Sequence, residues 1–189
     1  MQKLIVISAP SGAGKTSIVR YLLKKIPELS FSVSACSRNK RSNEINGKDY
    51  YFLGVNGFKD KIKKNAFLEW EEVYHNQFYG TLKSELDRVS SEGKTIIFDV
   101  DVIGGLNIKK QYPKNCLAIF VMPPSIDVLT ERLRARGSES EESLQIRIDN
   151  AEKEISKNNE FDAVILNDDF NLACKEIEEL IAAFIYYKK

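Results

Sequence analysis

The chain has 189 residues, 43% of them hydrophobic and 29% charged, with a formal net charge of +1. That length suits one domain with a small insertion, and the balanced charge excludes a global field that would draw the protein onto nucleic acid or a membrane surface. Three widely spaced cysteines, Cys36, Cys116 and Cys174, fit neither a disulfide framework nor a zinc site, and no apolar run reaches the length of a membrane span or a secretory leader; a cytoplasmic location is expected.

Residues 3–8 open with Leu4-Ile5-Val6-Ile7, a short unbroken apolar run that predicts a strand covered on both faces. Next comes Ser8-Ala9-Pro10-Ser11-Gly12-Ala13-Gly14-Lys15-Thr16. Residues 15–26 predict a helix, because Ile18, Val19, Leu22, Leu23 and Ile26 recur at helical spacing until Pro27. Strand, glycine-rich turn and Gly-Lys-Thr at a helix start form a phosphate-binding loop. The turn aims backbone N–H groups inward, and the helix N-terminus adds partial positive charge. In such loops the Lys15 ammonium reaches the β- and γ-phosphates, and the Thr16 hydroxyl ligates Mg²⁺. Ala9 stands where the motif usually has its first glycine, so it must keep a negative φ.

Residues 30–90 read differently. Phe31-Ser32-Val33-Ser34 alternates like a short strand, and a polar, basic loop runs from Ser37 to Gly47. Tyr50-Tyr51-Phe52-Leu53 is strand-like, Val55–Asn65 carries a short helix, and Phe67–Tyr74 alternates again. A turn at His75-Asn76-Gln77 leads to Phe78-Tyr79-Gly80-Thr81. These short aromatic strands predict a small mixed α+β lobe inserted at 33–88. Helical spacing resumes over 82–92. Residues 95–101 form a second core strand ending in Asp99 and Asp101, and 104–111 are helical. Residues 116–122 are a third core strand, followed by helices at 126–135 and 140–158. A fourth core strand covers 161–167, and an amphipathic helix covers 170–187. Strands alternating with helices predict an α/β fold with a doubly wound parallel sheet.

Open sheets of this kind bind ligands at the carboxyl ends of their strands. Asp99 and Asp101 stand at such an end, which makes Asp99 a candidate to hold Mg²⁺ through water. Arg38 and Arg41 lie in the insertion. Arg132 and Arg136 share a helix face, and Arg147 lies on the next helix. Guanidinium forks match phosphate oxygens, but the same three helix arginines also fit a solvated face paired with Glu131, Glu139, Glu141 and Glu142. By pattern alone, Tyr50 and Tyr79 are core residues and Glu69 is an acid at a strand edge. His75, the single histidine, takes no catalytic role, and Trp70 is assigned to packing.

Taken together, these residues resemble the guanylate kinase family. The match runs through the phosphate loop, Ser32-Val33-Ser34 with Arg38, Arg41, Glu44, Gly47 and Tyr50-Tyr51-Phe52, and then Phe67-Leu68-Glu69-Trp70 and Tyr79-Gly80-Thr81. It continues through Phe98-Asp99-Val100-Asp101, Arg132-Leu133-Arg134-Ala135-Arg136-Gly137 and Asn167-Asp168-Asp169. The resemblance implies a P-loop NTPase-type sheet (1–32, 89–125 and 156–189), a nucleotide-monophosphate lobe (33–88) and a helical lid (126–155). It implies transfer of a phosphoryl group from ATP to GMP with Mg²⁺, held by Thr16 and, through water, Asp99. ATP would lie on Ala9, Pro10, Ser11, Gly12, Ala13, Gly14, Lys15 and Thr16, with Asn167 near the adenine. GMP would be held by Ser34, Arg38, Arg41, Tyr50, Glu69, Tyr79, Thr81, Asp99 and Asp101. Lys15, Arg41, Arg132, Arg136 and Arg147 would supply the catalytic charge.

The expected partners are free nucleotides, without nucleic acid or membrane, on a monomer or homodimer. Two rivals stay open: a phosphotransferase of the same architecture with another acceptor, and a non-catalytic interaction module. Departures from the family pattern are Ala9, Cys36-Ser37 in place of Thr-Thr, Asn43 in place of Gly, and Ile103 in place of Gln.

Overall fold

The computed structural model describes residues 2–135 and 141–186. Five strands form one parallel sheet: β1 (Leu4–Ser8), β2 (Leu29–Phe31), β7 (Thr95–Val100), β8 (Cys116–Met122) and β9 (Ala163–Leu166). Their order is β2-β7-β1-β8-β9, with β1 at the centre. Alternate residues of β1 feed two different cores, which explains why its whole run is apolar. Ile5 and Ile7 pack under α1 (Lys15–Lys25) and α7 (Phe170–Tyr186), against Ile18, Leu22, Ile177 and Ile181. Leu4 and Val6 face α3 (Lys83–Ser91) and α4 (Val102–Gln111), against Val89, Val102 and Ile108.

Between β2 and α3 the chain builds a second sheet from β3 (Ala35–Cys36), β4 (Tyr51–Phe52), β5 (Phe67–Tyr74) and β6 (Gln77–Leu82), in the order β4-β3-β6-β5. The helix α2 (Gly54–Lys63) covers it. Phe58 of α2 is fully buried and stacks on Phe67 and Phe78, with ring centroids 4.3 and 5.5 Å apart. The β5–β6 hairpin turns at His75 and Asn76, where Asn76 takes a positive φ of 58°; Asn tolerates this left-handed conformation better than most residues. After β8, α5 (Ile126–Ala135) and α6 (Glu141–Ile155) pack together through Leu129, Leu133, Leu144 and Ala151.

The sequence reading finds four core strands where the structure has five. The missing one is β2, three residues long and at the sheet edge, with only Leu29 buried. A short, half-exposed edge strand has no apolar run to announce it. The alternating stretch 31–34 is not a strand of the insertion but the joint between the two sheets: the Ser32 amide still donates to the Ile97 carbonyl of β7. The second core strand also stops one residue early, because Asp101 leaves it to cap α4, accepting from the Gly104 amide at 2.6 Å. Cys36, Cys116 and Cys174 are free and buried. Among the described residues no helix is long and apolar enough to cross a membrane.

Candidate active site

The loop between β1 and α1 is shaped by two glycines. Gly12 and Gly14 have φ of 94° and 97°, values that favour glycine. Gly14 sits at the N-cap of α1, and no side chain caps it. The first amides of the helix are thus left for a ligand, the condition for anion binding at a helix start. Behind the loop, the buried Asn167 donates to the Ala13 carbonyl at 2.6 Å. A side chain at Gly14 would put its Cβ 2.5 Å from the same amide nitrogen. Ala9 takes a negative φ, since Asn65 and Asn76 are the only non-glycine residues with positive φ among the described residues.

Three charged or polar groups converge where β1 and β7 end side by side. Lys15 Nζ donates to the Val100 carbonyl at 2.7 Å and lies 3.3 Å from Asp99 Oδ1. Thr16 Oγ1 donates to Asp99 Oδ2 at 2.7 Å. Asp99 thus meets both side chains that follow Gly14, those of Lys15 and Thr16. The loop opens into a cleft of about 310 Å³ that runs from Ala9–Gly12, Lys15 and Thr16 to Ser34, Tyr50, Glu69 and Tyr79 in the second sheet, with Asp99 and Asp101 between.

Glu69 projects from β5 into this cleft. It is 8% exposed, and its Oε1 has no hydrogen-bond partner among the described residues. The same holds for the hydroxyl of Thr81, its fully buried cross-strand neighbour on β6. Burial pushes the Glu69 carboxyl up to about 7, with Asp101 adding to the rise and Thr81 opposing it. Gly104 of α4 makes the approach possible, because a Cβ there would lie 2.8 Å from Glu69 Oε2. Burial also pushes the Tyr50 hydroxyl up to about 12, so it stays protonated as a donor. Tyr50 and Tyr79 meet edge to face, with ring centroids 6.1 Å apart.

Arg38 stands behind Tyr50, its guanidinium 5.0 Å from the ring centroid. It forms a two-pronged pair with Glu44 at 2.7 and 2.6 Å. That pairing holds the Glu44 carboxyl down at about 2 and raises Arg38. Arg41 is exposed on the same loop, and its amide donates to Glu44 at 2.8 Å. Neither arginine lines the cleft. On the other side, Arg147 of α6 does line it and reaches Ser11 Oγ at 3.2 Å. Arg132 and Asn167 line a second cleft beside the loop, with Gly12, Gly14 and Phe170. Arg136 lies outside the described residues.

Asn150 and Glu154 of the cleft, and Glu71 near Asp101, escaped the sequence reading. Asn150 and Glu154 follow Arg147 by three and seven positions, so the three share one helix face, and all three line the cleft. Burial pushes Glu154 up to about 7, against the pull of Lys15. Glu71 follows Glu69 by two and so shares its face of β5; burial and the nearby Asp101 push it up as well. Helical and strand periodicity could have found all three. The departure Cys36-Ser37 proves structural: the Ser37 hydroxyl donates to the Asn76 carbonyl at 3.0 Å and accepts from the Phe78 amide at 2.8 Å.

A phosphate loop facing a buried, unsatisfied carboxylate across one cleft is built to pass a phosphoryl group to a second ligand: the fold and site are those of a P-loop phosphotransferase. The model of the guanylate kinase family matches residues 1–184. The chain is 49% identical over 186 residues to the guanylate kinase of Porphyromonas gingivalis, covering 98% of this chain and 99% of the relative. It is 46% identical over 183 residues to that of Bacteroides fragilis, covering 97% and 90%. The crystal structure of guanylate kinase from Anaplasma phagocytophilum superposes with a TM-score of 0.81 at 27% identity, over 99% of this chain and 88% of that one. The chain belongs to the guanylate kinase family.

Proposed function

We propose that the protein transfers the γ-phosphoryl group of ATP to GMP, giving ADP and GDP. The observation that carries this reading is Glu69, a buried carboxylate with an unpaired oxygen in the cleft that starts at Lys15. An unsatisfied buried polar group is costly until a ligand pairs it. Guanine carries N1–H and 2-amino N–H donors on one edge, and a carboxylate accepts both. Its O6 suits a hydroxyl such as that of Ser34, and Thr81 and Asp101 complete the polar wall. Adenine has an acceptor at N1, would leave Glu69 unpaired, and is rejected for that reason.

Tyr50 and Tyr79 hold the acceptor phosphate from within the cleft, and Arg38 and Arg41, outside it in this structure, reach it as the lobe closes. Glu44 keeps the Arg38 fork in place, and Tyr50 donates its retained proton. On the donor side the amides of the loop and Lys15 hold the triphosphate, and the adenine lies in the second cleft by Arg132 and Asn167. Thr16 and Asp99 suit Mg²⁺: both offer hard oxygen donors, and such sites use few protein ligands beside the phosphates. Thr16 would bind the ion directly and Asp99 through water, and a bound ion would supply neutralising positive charge to the triphosphate.

An acceptor phosphate oxygen attacks the γ-phosphorus as the bond to the β–γ bridging oxygen breaks. That acceptor oxygen is already largely anionic near neutral pH, so no side chain need remove a proton. The protein's task is alignment and charge neutralisation, shared by Lys15, Arg41, Arg132, Arg136 and Arg147. The lobe, whose last strand ends at Leu82, and the lid (126–155) close over the nucleotides and exclude water, which would otherwise take the phosphoryl group. The protein acts in the cytoplasm as a monomer or homodimer on free nucleotides.

Coupled measurement of ADP release with GMP, AMP, CMP and UMP tests the reading. GMP is expected to support turnover at least about a hundredfold faster than the others. Comparable turnover with AMP or a pyrimidine nucleotide overturns the guanine assignment. Failure to bind ATP in a calorimeter would favour an interaction module.

A further inference from the structure

Two crossings join the second sheet to the first. The chain leaves β2 at Phe31 and reaches β3 at Ala35; it returns where β6 ends at Leu82 and α3 starts at Lys83. Glu85 stands in the first turn of α3, beside the return crossing, and is 2% exposed. A carboxylate so buried needs partners, and its partners lie on both sides of the joint. Oε2 accepts from the Val33 amide at 2.7 Å, on the outgoing crossing. Oε1 accepts from the Tyr51 hydroxyl at 2.9 Å, on β4. Arg88, one turn further along α3, donates to the two oxygens at 3.1 and 2.8 Å, and to the Phe31 carbonyl at 2.6 Å. Burial alone would raise the Glu85 carboxyl. Arg88, the Val33 amide and the Tyr51 hydroxyl outweigh it and hold the group below its ordinary value. Glu85 is an anion that only accepts, and it ties α3 to two other segments at once.

Each of its partners in the insertion adjoins a residue of the acceptor site. Val33 precedes Ser34, and Tyr51 follows Tyr50; Ser34 and Tyr50 both line the cleft. The Tyr51 amide also donates to the Ser34 carbonyl at 2.9 Å, so the two segments move as a unit. Neighbours in an extended strand point to opposite faces: Tyr51 reaches Glu85 while Tyr50 reaches the cleft. Glu85 itself does not line it.

We propose that Glu85 is a positioning residue for the acceptor nucleotide. Through Val33 and Tyr51 it fixes Ser34 and Tyr50 relative to the parallel sheet, and its bond to Tyr51 sets the angle of the lobe over the phosphate loop. The inference rests on the reading of Ser34 and Tyr50 as GMP-binding residues.

Tyr51→Phe removes one donor and leaves Glu85 with Arg88 and Val33, so the fold is retained. The KM for GMP should rise about tenfold, equivalent to about 1.4 kcal/mol. The KM for ATP and kcat should stay within about twofold, a split that a general loss of structure does not produce. Glu85→Gln should give the same split, and the double variant should be no worse than Glu85→Gln alone, since both act on one contact. Tyr50→Phe, measured beside them, reports on the acceptor site itself. A raised KM for GMP in Tyr50→Phe with no change in Tyr51→Phe overturns the positioning role and leaves the acceptor site standing. No change in either overturns both. Equal rises in both KM values, with a lowered Tm, mean a merely structural role and likewise overturn the proposal.

Discussion

Lys15 and Asp99 meet at 3.3 Å where two neighbouring parallel strands end, and Asp99 also holds the Thr16 hydroxyl. The ammonium is tethered by the Val100 carbonyl at 2.7 Å, so its charge is fixed at the mouth of the phosphate loop before any nucleotide arrives. Such preorganised charge stabilises a transition state without reorganisation at the moment of reaction. Lys15→Met is expected to lower kcat by at least about 10²- to 10³-fold, the usual effect of removing one preorganised donor. The melting temperature should change little, since the pair lies at the cleft surface. Steady-state kinetics and calorimetry check both parts; near-normal kcat would remove Lys15 from the mechanism.

Gly14→Ala tests the geometry of the loop. The new Cβ would demand a φ that alanine avoids and would press on the Asn167 amide at 2.5 Å. Asn167 in turn holds the Ala13 carbonyl, so the pressure falls on the loop itself. The variant should bind ATP at least about tenfold more weakly, a cost of about 1.4 kcal/mol. Combining it with Asn167→Ala removes the clash but not the strain in φ, so affinity should recover only in part. Calorimetric titration with ATP distinguishes the two contributions; full recovery would assign the whole effect to the clash.

The phosphate loop was legible because its chemistry lies in nine consecutive residues, Ser8 to Thr16. The central strands were legible because burial on two faces leaves an unbroken apolar run, as in Leu4–Ile7. At β2 that signal fails, because an edge strand of three residues buries only Leu29. The acceptor side was opaque to pattern for a different reason: Glu69 and Tyr50 really are largely buried, and periodicity does not separate the wall of a cleft from a core. Only their resemblance to a family pattern assigned them. Glu85 was hidden more deeply, since its partners Val33, Tyr51 and Arg88 come together only when the chain leaves one sheet for another.

Lys3 ties the two ends of the chain. Its Nζ donates to the Phe184 and Ile185 carbonyls at 2.6 and 2.7 Å, near the end of α7. Helix C-termini leave carbonyls without partners and carry partial negative charge, so a lysine there is doubly favoured. Lys3→Met should destabilise the protein by about 1 to 2 kcal/mol and leave both KM values unchanged, because α7 packs with Ile5 and Ile7, on the opposite face of the sheet from the one that Leu68 of β5 joins. Denaturant unfolding measures the first and kinetics the second. An unchanged midpoint would show that the two bonds add nothing in water.

Glu69 links the proposed acceptor site to pH. Its carboxyl is pushed up to about 7 in the folded protein, from an ordinary value of 4.5. As pH rises between those values the unfolded chain loses its proton first, so folding stability from this group is present below 4.5 and is lost as pH passes about 7. The slope is at most about 1.4 kcal/mol per pH unit. Glu154, also pushed up to about 7, acts in the same direction, so Glu69→Gln should make the fall in Tm between about pH 5 and pH 8 shallower without abolishing it. The proposed pairing with guanine has the opposite demand, because its two N–H donors need the carboxylate. The KM for GMP should therefore rise as pH falls below about 7, by up to about tenfold per unit. The acceptor phosphate titrates nearby, with a second pKa of about 6, and Glu69→Gln subtracts that contribution. In the variant the KM for GMP should be raised at neutral pH and nearly flat down to the titration of the nucleotide itself. A variant with the wild-type KM and the wild-type pH profile would mean that Glu69 does not read the base.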